Sequence, residues 1–140
     1  MLAPRRNIVL IGMAGAGKST VGVLLGKALS REFIDTDLVI QAAERRRLQD
    51  ILDSEGLDAF RQLEEKCVLG IGARDAVIAT GGSVVYSARA MAHLKASGTL
   101  VYLYLPVDAL ERRVTNMDSR GIVIAPGQTF AELFREREPL

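Results

Sequence analysis

The chain carries one cysteine and one histidine in 140 residues, aromatic side chains make up only 5%, and positive and negative charges nearly cancel. Cys67 alone cannot close an internal disulfide. Its place in a helical pattern with Phe60, Leu63 and Ile71 on one face reads as a core thiol in a reducing cytosol. His93, on a polar helix flank beside Lys95, has no companion ligands for a metal centre. Lys+Arg 18 against Asp+Glu 17 leaves a net charge of +1, which gives no general field to hold nucleic acid or an anionic membrane. An anionic partner must therefore be met by local arginines. No uninterrupted apolar run approaches the ~20 residues needed to cross a bilayer. Arg5-Arg6 followed by apolar residues imitates a secretory signal, but Lys18 breaks that stretch. No repeat, low-complexity tract or linker divides the sequence. It reads as one domain, 1–140, 49% hydrophobic and long enough to bury a core.

What is present is a glycine-rich turn. Gly12-Met13-Ala14-Gly15-Ala16-Gly17-Lys18-Ser19 lies between the apolar run Ile8–Ile11 and a helical pattern beginning at Thr20, and it fits the phosphate loop G-x-x-x-x-G-K-[ST]. Glycines let the backbone curl so that successive N–H groups face phosphate oxygens, and the following helix adds the positive end of its dipole. Lys18 is expected to reach the β- and γ-phosphates of a nucleoside triphosphate, and Ser19 to ligate Mg²⁺.

Helical spacing of Val21, Leu24, Leu25, Ala28 and Leu29 predicts a first helix packed on a sheet through that stripe. Strands are expected at Phe33–Asp35, Ala76–Ala79 and Leu100–Leu105, the last closed by Pro106 and including the Tyr102 and Tyr104 pair as sheet-packing residues. Helices are expected at 37–44, from Leu48 to near Gly56, at 58–72, after Ser87, at 107–115 and at 129–138. The aperiodic segment 116–128, with Gly121, Pro126 and Gly127, reads as a mobile cover of the kind active sites use. Alternating strands and helices predict an α/β fold, a three-layer parallel sheet with helices on both faces. Ligands then gather at the carboxyl ends of the strands, where Gly12, Asp35, Asp37 and Gly81-Gly82 all fall.

The order and spacing of the phosphate loop, Asp35-Thr36-Asp37, Phe60-Arg61 with Glu64, Gly81-Gly82, Arg120 and Arg137 before Pro139-Leu140 resemble the shikimate kinases, a phosphate-loop family with a nucleoside monophosphate kinase-like fold. The resemblance spans nearly the whole chain. It implies transfer of the γ-phosphoryl of ATP, with Mg²⁺, to a hydroxyl of shikimate, a small carboxylic acid, by a cytoplasmic monomer. It assigns Gly12, Gly15, Ala16, Gly17, Lys18, Ser19, Thr20, Arg113 and Arg120 to ATP, and Ser19 and Asp35 to the metal. Asp37, Arg61, Gly81, Gly82 and Arg137 go to the acceptor, with Asp37 as base and Lys18 and Arg120 as catalytic cations. Such kinases also carry a last strand and helix after the position of Leu140. The sequence departs from the family at Ser83, where a third glycine is usual, and at Gly121, where proline is usual. A kinase of another hydroxy acid, homoserine or gluconate, and a nucleotide-binding module without transfer activity are the alternatives.

Each assigned residue also has a plain structural reading. Asp37 could cap the helix it begins, and Arg61 could pair with Glu64 and Glu65 on a helix surface. Arg137 could serve a helix end, Gly81-Gly82 a turn with positive φ, and Arg120 a solvated loop. Glu44-Arg45-Arg46-Arg47 reads as a solvated face.

Overall fold

A computed structural model of the chain describes residues 6–114 and 128–140. Strands β1 (Asn7–Ile11), β2 (Glu32–Asp35), β3 (Ala76–Ala79) and β4 (Gly98–Tyr102) form a parallel sheet in the order β2-β3-β1-β4. The continuous apolar runs of β1 and β3 take the two central places, as strands covered on both faces require. Around them lie α1 (Lys18–Leu29), α2 (Thr36–Glu44), α3 (Leu48–Glu55), α4 (Leu57–Leu69), α5 (Ala88–Ser97), α6 (Val107–Val114) and α7 (Phe130–Arg137). The expected α/β fold with its parallel sheet is present.

Val9, Ile78, Val68 and Leu94 centre one apolar cluster that ties the sheet to α4 and α5. A second, with Met13, Leu110 and Leu133, joins the glycine-rich turn to α6 and α7, and a third, with Ile40, Ile51 and Phe60, unites α2, α3 and α4. Cys67 is half-buried against this third cluster, and its Sγ donates to Thr36 O at 3.8 Å. Burial pushes the thiol pKa up to about 11.

Three features differ from the sequence expectation. The stripe Val21, Leu24, Leu29 does not face the sheet: these side chains are 39%, 61% and 40% exposed. The inward face of α1 is instead Lys18, Gly22 and Gly26, spaced four apart. A Cβ on Gly22 would stand 2.4 Å from the Phe33 ring, so bare backbone is what lets α1 approach β2. The helix phase is thus set by turning Lys18 inward, and the larger apolar residues fall outward. The fourth strand runs from Gly98 to Tyr102 rather than 100–105, because its partner β1 ends at Ile11 and the last ladder bond is Leu103 N to Ile11 O, 2.9 Å. Tyr102 and Tyr104 therefore lie at the sheet margin, 46% and 55% exposed, with tilted rings 6.1 Å apart.

Candidate active site

Gly12, Gly15 and Gly17 carry φ of 148°, 84° and 95°, the backbone region that favours glycine. A Cβ on Gly12 would stand 2.6 Å from Leu103 O, so the turn also needs the bare backbone where it leaves β1. Ala16 packs beneath the loop beside Met13. Lys18 opens α1, and its Nζ donates to the carbonyls of Gly12 and Met13, fastening both ends of the turn. Only 8% of Lys18 is exposed, and desolvation lowers its pKa to about 8. Ser19 and Thr20 are exposed on the first turn of α1.

Ser19 Oγ donates to Asp35 Oδ2 at 2.7 Å, while Asp35 Oδ1 accepts from the backbone N–H groups of Asp37 and Leu38, 3.0 and 3.3 Å. Asp35 therefore caps α2, which corrects the plain reading of Asp37 as the cap. Relieved of capping, the Asp37 carboxylate points toward β3. Ser19 and Asp35 offer hard oxygens suited to Mg²⁺, which keeps most of its water and needs no full protein cage. Among the described residues no group of three or more His, Cys, Asp and Glu side chains forms one.

Gly81 and Gly82 sit at the carboxyl end of β3, where Gly81 N donates to Thr36 Oγ1 at 3.2 Å. Positive φ is not the reason for glycine here, since neither residue has it. Space is the reason. A Cβ on Gly81 would stand 2.5 Å from Glu64 Oε2 and 2.8 Å from Asp37 Oδ1. A Cβ on Gly82 would stand 2.8 Å from Arg137 Nη1 and 3.3 Å from Ala14 N of the glycine turn. One bare dipeptide thus joins two carboxylates, an arginine and the glycine-rich turn.

Glu64 is 3% exposed, and its Oε2 has no hydrogen-bond partner among the described residues. Burial raises its pKa to about 7, against the hydrogen bond from Ser83, which lowers it. Asp37 is raised to about 6, by burial first and then by the Asp35 charge, with Lys18 opposing. Ser83, the departure from three glycines, turns inward: it is 2% exposed and its Oγ donates to Glu64 Oε1 at 2.6 Å.

Glu64→Gln should test this burial. A carboxyl whose native pKa exceeds its unfolded value of 4.5 favours the folded state less and less as pH rises from there to about 7, and the full penalty persists above. The amide cannot ionise and can still accept from Ser83. The melting temperature should therefore rise relative to the unaltered protein at pH 8, by on the order of 2–3 kcal/mol in stability, and change little at pH 4.5. Equal shifts at both pH values would refute the assignment.

Arg61, on α4, does not make the surface pair expected with Glu64 and Glu65. Its guanidinium lies 4.2 Å from the Tyr86 ring centroid, while Glu65 accepts from Ser87 at 2.6 Å and pairs with Arg89 at 3.2 Å. Arg137, in the last turn of α7 where a cation suits the helix dipole, is also 4% exposed and 5.3 Å from the same ring. Burial lowers its pKa from the usual arginine value. A cleft of about 330 Å³ between Gly12, Gly82, Tyr102 and Arg137 adjoins the turn. Arg61, Glu64, Ser83 and Tyr86 line a smaller cavity of about 130 Å³. The backbone of Arg113 lies in the last turn of α6, but its side chain, Arg120, Gly121 and all but the last residue of the 116–128 segment lie outside the described residues.

Glu64 and Tyr86 escaped the sequence reading as site residues. For Glu64 a signal existed: Phe60, Glu64 and Val68 share one helical face, so a carboxylate stands at a core position. Tyr86 gave none.

A glycine-wrapped turn after the first strand, with an acid ending the second strand at the same edge of the sheet, is how phosphate-loop kinases of small molecules set a phosphoryl donor against its acceptor, and to that class this fold and cleft belong. The family model described as shikimate kinase matches residues 14–140. Shikimate kinase from Nitrosospira multiformis is 39% identical over 137 residues, 96% of this chain and 70% of that protein. The enzyme from Persephonella marina is 33% identical over 136 residues, 96% of this chain and 83% of its own. The solved shikimate kinase of Acinetobacter baumannii in complex with shikimate superposes with a TM-score of 0.88 at 35% identity, covering 96% of this chain and 77% of that one. That of Aquifex aeolicus gives 0.81 at 31%, covering 95% and 80%. The chain belongs to the shikimate kinase family.

Proposed function

We propose that this chain, as one domain acting as a cytoplasmic monomer, transfers the γ-phosphoryl group of ATP to a hydroxyl of shikimate, giving shikimate 3-phosphate. The observation that carries the reading is the Gly82 junction. The space a Cβ would fill there borders Arg137 Nη1 on one side and Ala14 N of the phosphate loop on the other. Held by Arg137 and by the loop amides, the acceptor carboxylate and donor phosphates would then occupy neighbouring positions.

Backbone amides of Gly12 to Ser19, with Lys18, hold the phosphates, and Thr20 extends that contact into the helix. Arg61 and Arg137 grip the carboxylate, for which planar guanidinium groups are suited. Bare backbone at Gly81 and Gly82 leaves room for the ring. Asp37, turned toward Gly81, accepts the proton of the attacking hydroxyl. Ser19 and Asp35 would hold Mg²⁺, which supplies positive charge to the phosphate oxygens. Arg113 at the adenine and Arg120 at the γ-phosphate complete the set by family resemblance.

ADP release measured with shikimate, homoserine and gluconate as separate acceptors tests the proposal. Stimulation by shikimate alone is expected. Stimulation by either of the others instead would reassign the acceptor, and ADP binding without stimulation by any would leave a nucleotide-binding module.

A further inference from the structure

We propose that Tyr86 is a positioning residue whose ring gathers Arg61 and Arg137 into one fork for the acceptor carboxylate, an inference that rests on the acceptor reading above. The two arginines come from α4 and α7, far apart in sequence, and both guanidinium groups lie over one ring, at 4.2 and 5.3 Å from its centroid. Two like charges held side by side in a partly buried place repel each other. An aromatic face attracts both, because its quadrupole is negative above the ring plane.

The ring is itself held in place. Tyr86 ends a 3₁₀ turn, Val84–Tyr86, that follows directly on Gly81-Gly82-Ser83, so its position is tied to the carboxyl end of β3. Its hydroxyl donates to Glu136 Oε1 at 2.8 Å, and Gln128 Nε2 donates to Glu136 Oε2 at 2.6 Å. Glu136 is the neighbour of Arg137, so one turn of α7 supplies both the anchor for the phenol and an arm of the fork. Arg61 Nε is buried without a hydrogen-bond partner among the described residues, which leaves a guanidinium donor uncommitted to protein. A planar carboxylate supplies the acceptors such donors need, and the ring keeps them aimed before it arrives.

Steady-state constants for shikimate and ATP should be compared among the unaltered protein, Tyr86→Phe and Tyr86→Leu, with Tyr86→Met replacing the leucine variant if that one does not fold. Phenylalanine keeps the ring and loses the hydroxyl that bonds Glu136 and Arg137; leucine and methionine keep bulk and lose the aromatic face. The apolar variants should raise KM for shikimate about tenfold, with kcat and the KM for ATP little changed, and Tyr86→Phe should stay near the unaltered value. An unchanged shikimate KM in Tyr86→Leu or Tyr86→Met, an equal rise in the KM for ATP, or an equal loss in Tyr86→Phe would each overturn the inference. Failure of the unaltered protein to respond to shikimate would overturn the acceptor reading, and this inference with it.

Discussion

Asp37→Asn is expected to lower kcat by about a thousandfold while leaving ADP affinity within about threefold of the unaltered protein. The structure separates the two effects. Asp35, not Asp37, meets Ser19 and caps α2, so the substitution removes neither a helix cap nor the hydroxyl partner beside the phosphate loop. What it removes is the carboxylate oxygen that faces the bare backbone of Gly81 across from Glu64. Burial holds that carboxyl at about 6, high enough to take a proton and low enough to be ionised at neutral pH. The amide keeps the size and cannot act as base. Steady-state ADP release and calorimetric titration with ADP give the two quantities, and a matched fall in ADP affinity would place Asp37 on the nucleotide side of the cleft.

Lys18→Met should cost at least about a hundredfold in kcat/KM for ATP, the scale on which removal of one preorganised donor at a charged transition state is felt. A second signature distinguishes loss of charge from loss of shape. Desolvation lowers the free amine to about 8, and a bound phosphate favours the protonated form, so ADP binding must draw a proton once the pH exceeds that value. Affinity for ADP, titrated with EDTA present, should therefore weaken as pH rises above about 8 in the unaltered protein. The methionine protein should show a flat profile. Since Lys18 also bonds the carbonyls of Gly12 and Met13, melting temperatures of both proteins should accompany the titrations. A pH slope that survives the substitution would locate the titrating group elsewhere.

The parallel sheet, the glycine turn and the grouping of Asp35, Asp37 and Gly81-Gly82 at one edge were legible in the sequence, because strand period, turn chemistry and chain order are local signals. The burial of α1 was not. Its apolar stripe counted Val21, Leu24 and Leu29 toward the sheet, whereas the side that docks is Lys18, Gly22 and Gly26, chosen by the charged group that must face the turn. Hydrophobic periodicity has no term for that demand. Nor could spacing say what Gly81 and Gly82 are for. Their glycine identity follows from Glu64, Asp37 and Arg137, side chains that arrive from three other helices. Ser83 stood out only as a departure from a usual third glycine, and the fold turns it to hold Glu64. Tyr86 acquires its role only when Arg61 of α4 and Arg137 of α7 both come over its ring.

Asp35 divides its two oxygens between a hydroxyl on α1 and the first amides of α2. A single carboxylate is thus the pin on which two helices hang, one beginning at Lys18 and the other carrying Asp37. The start of α1 and the start of α2, which carries Asp37, are therefore fixed to one another by a single side chain.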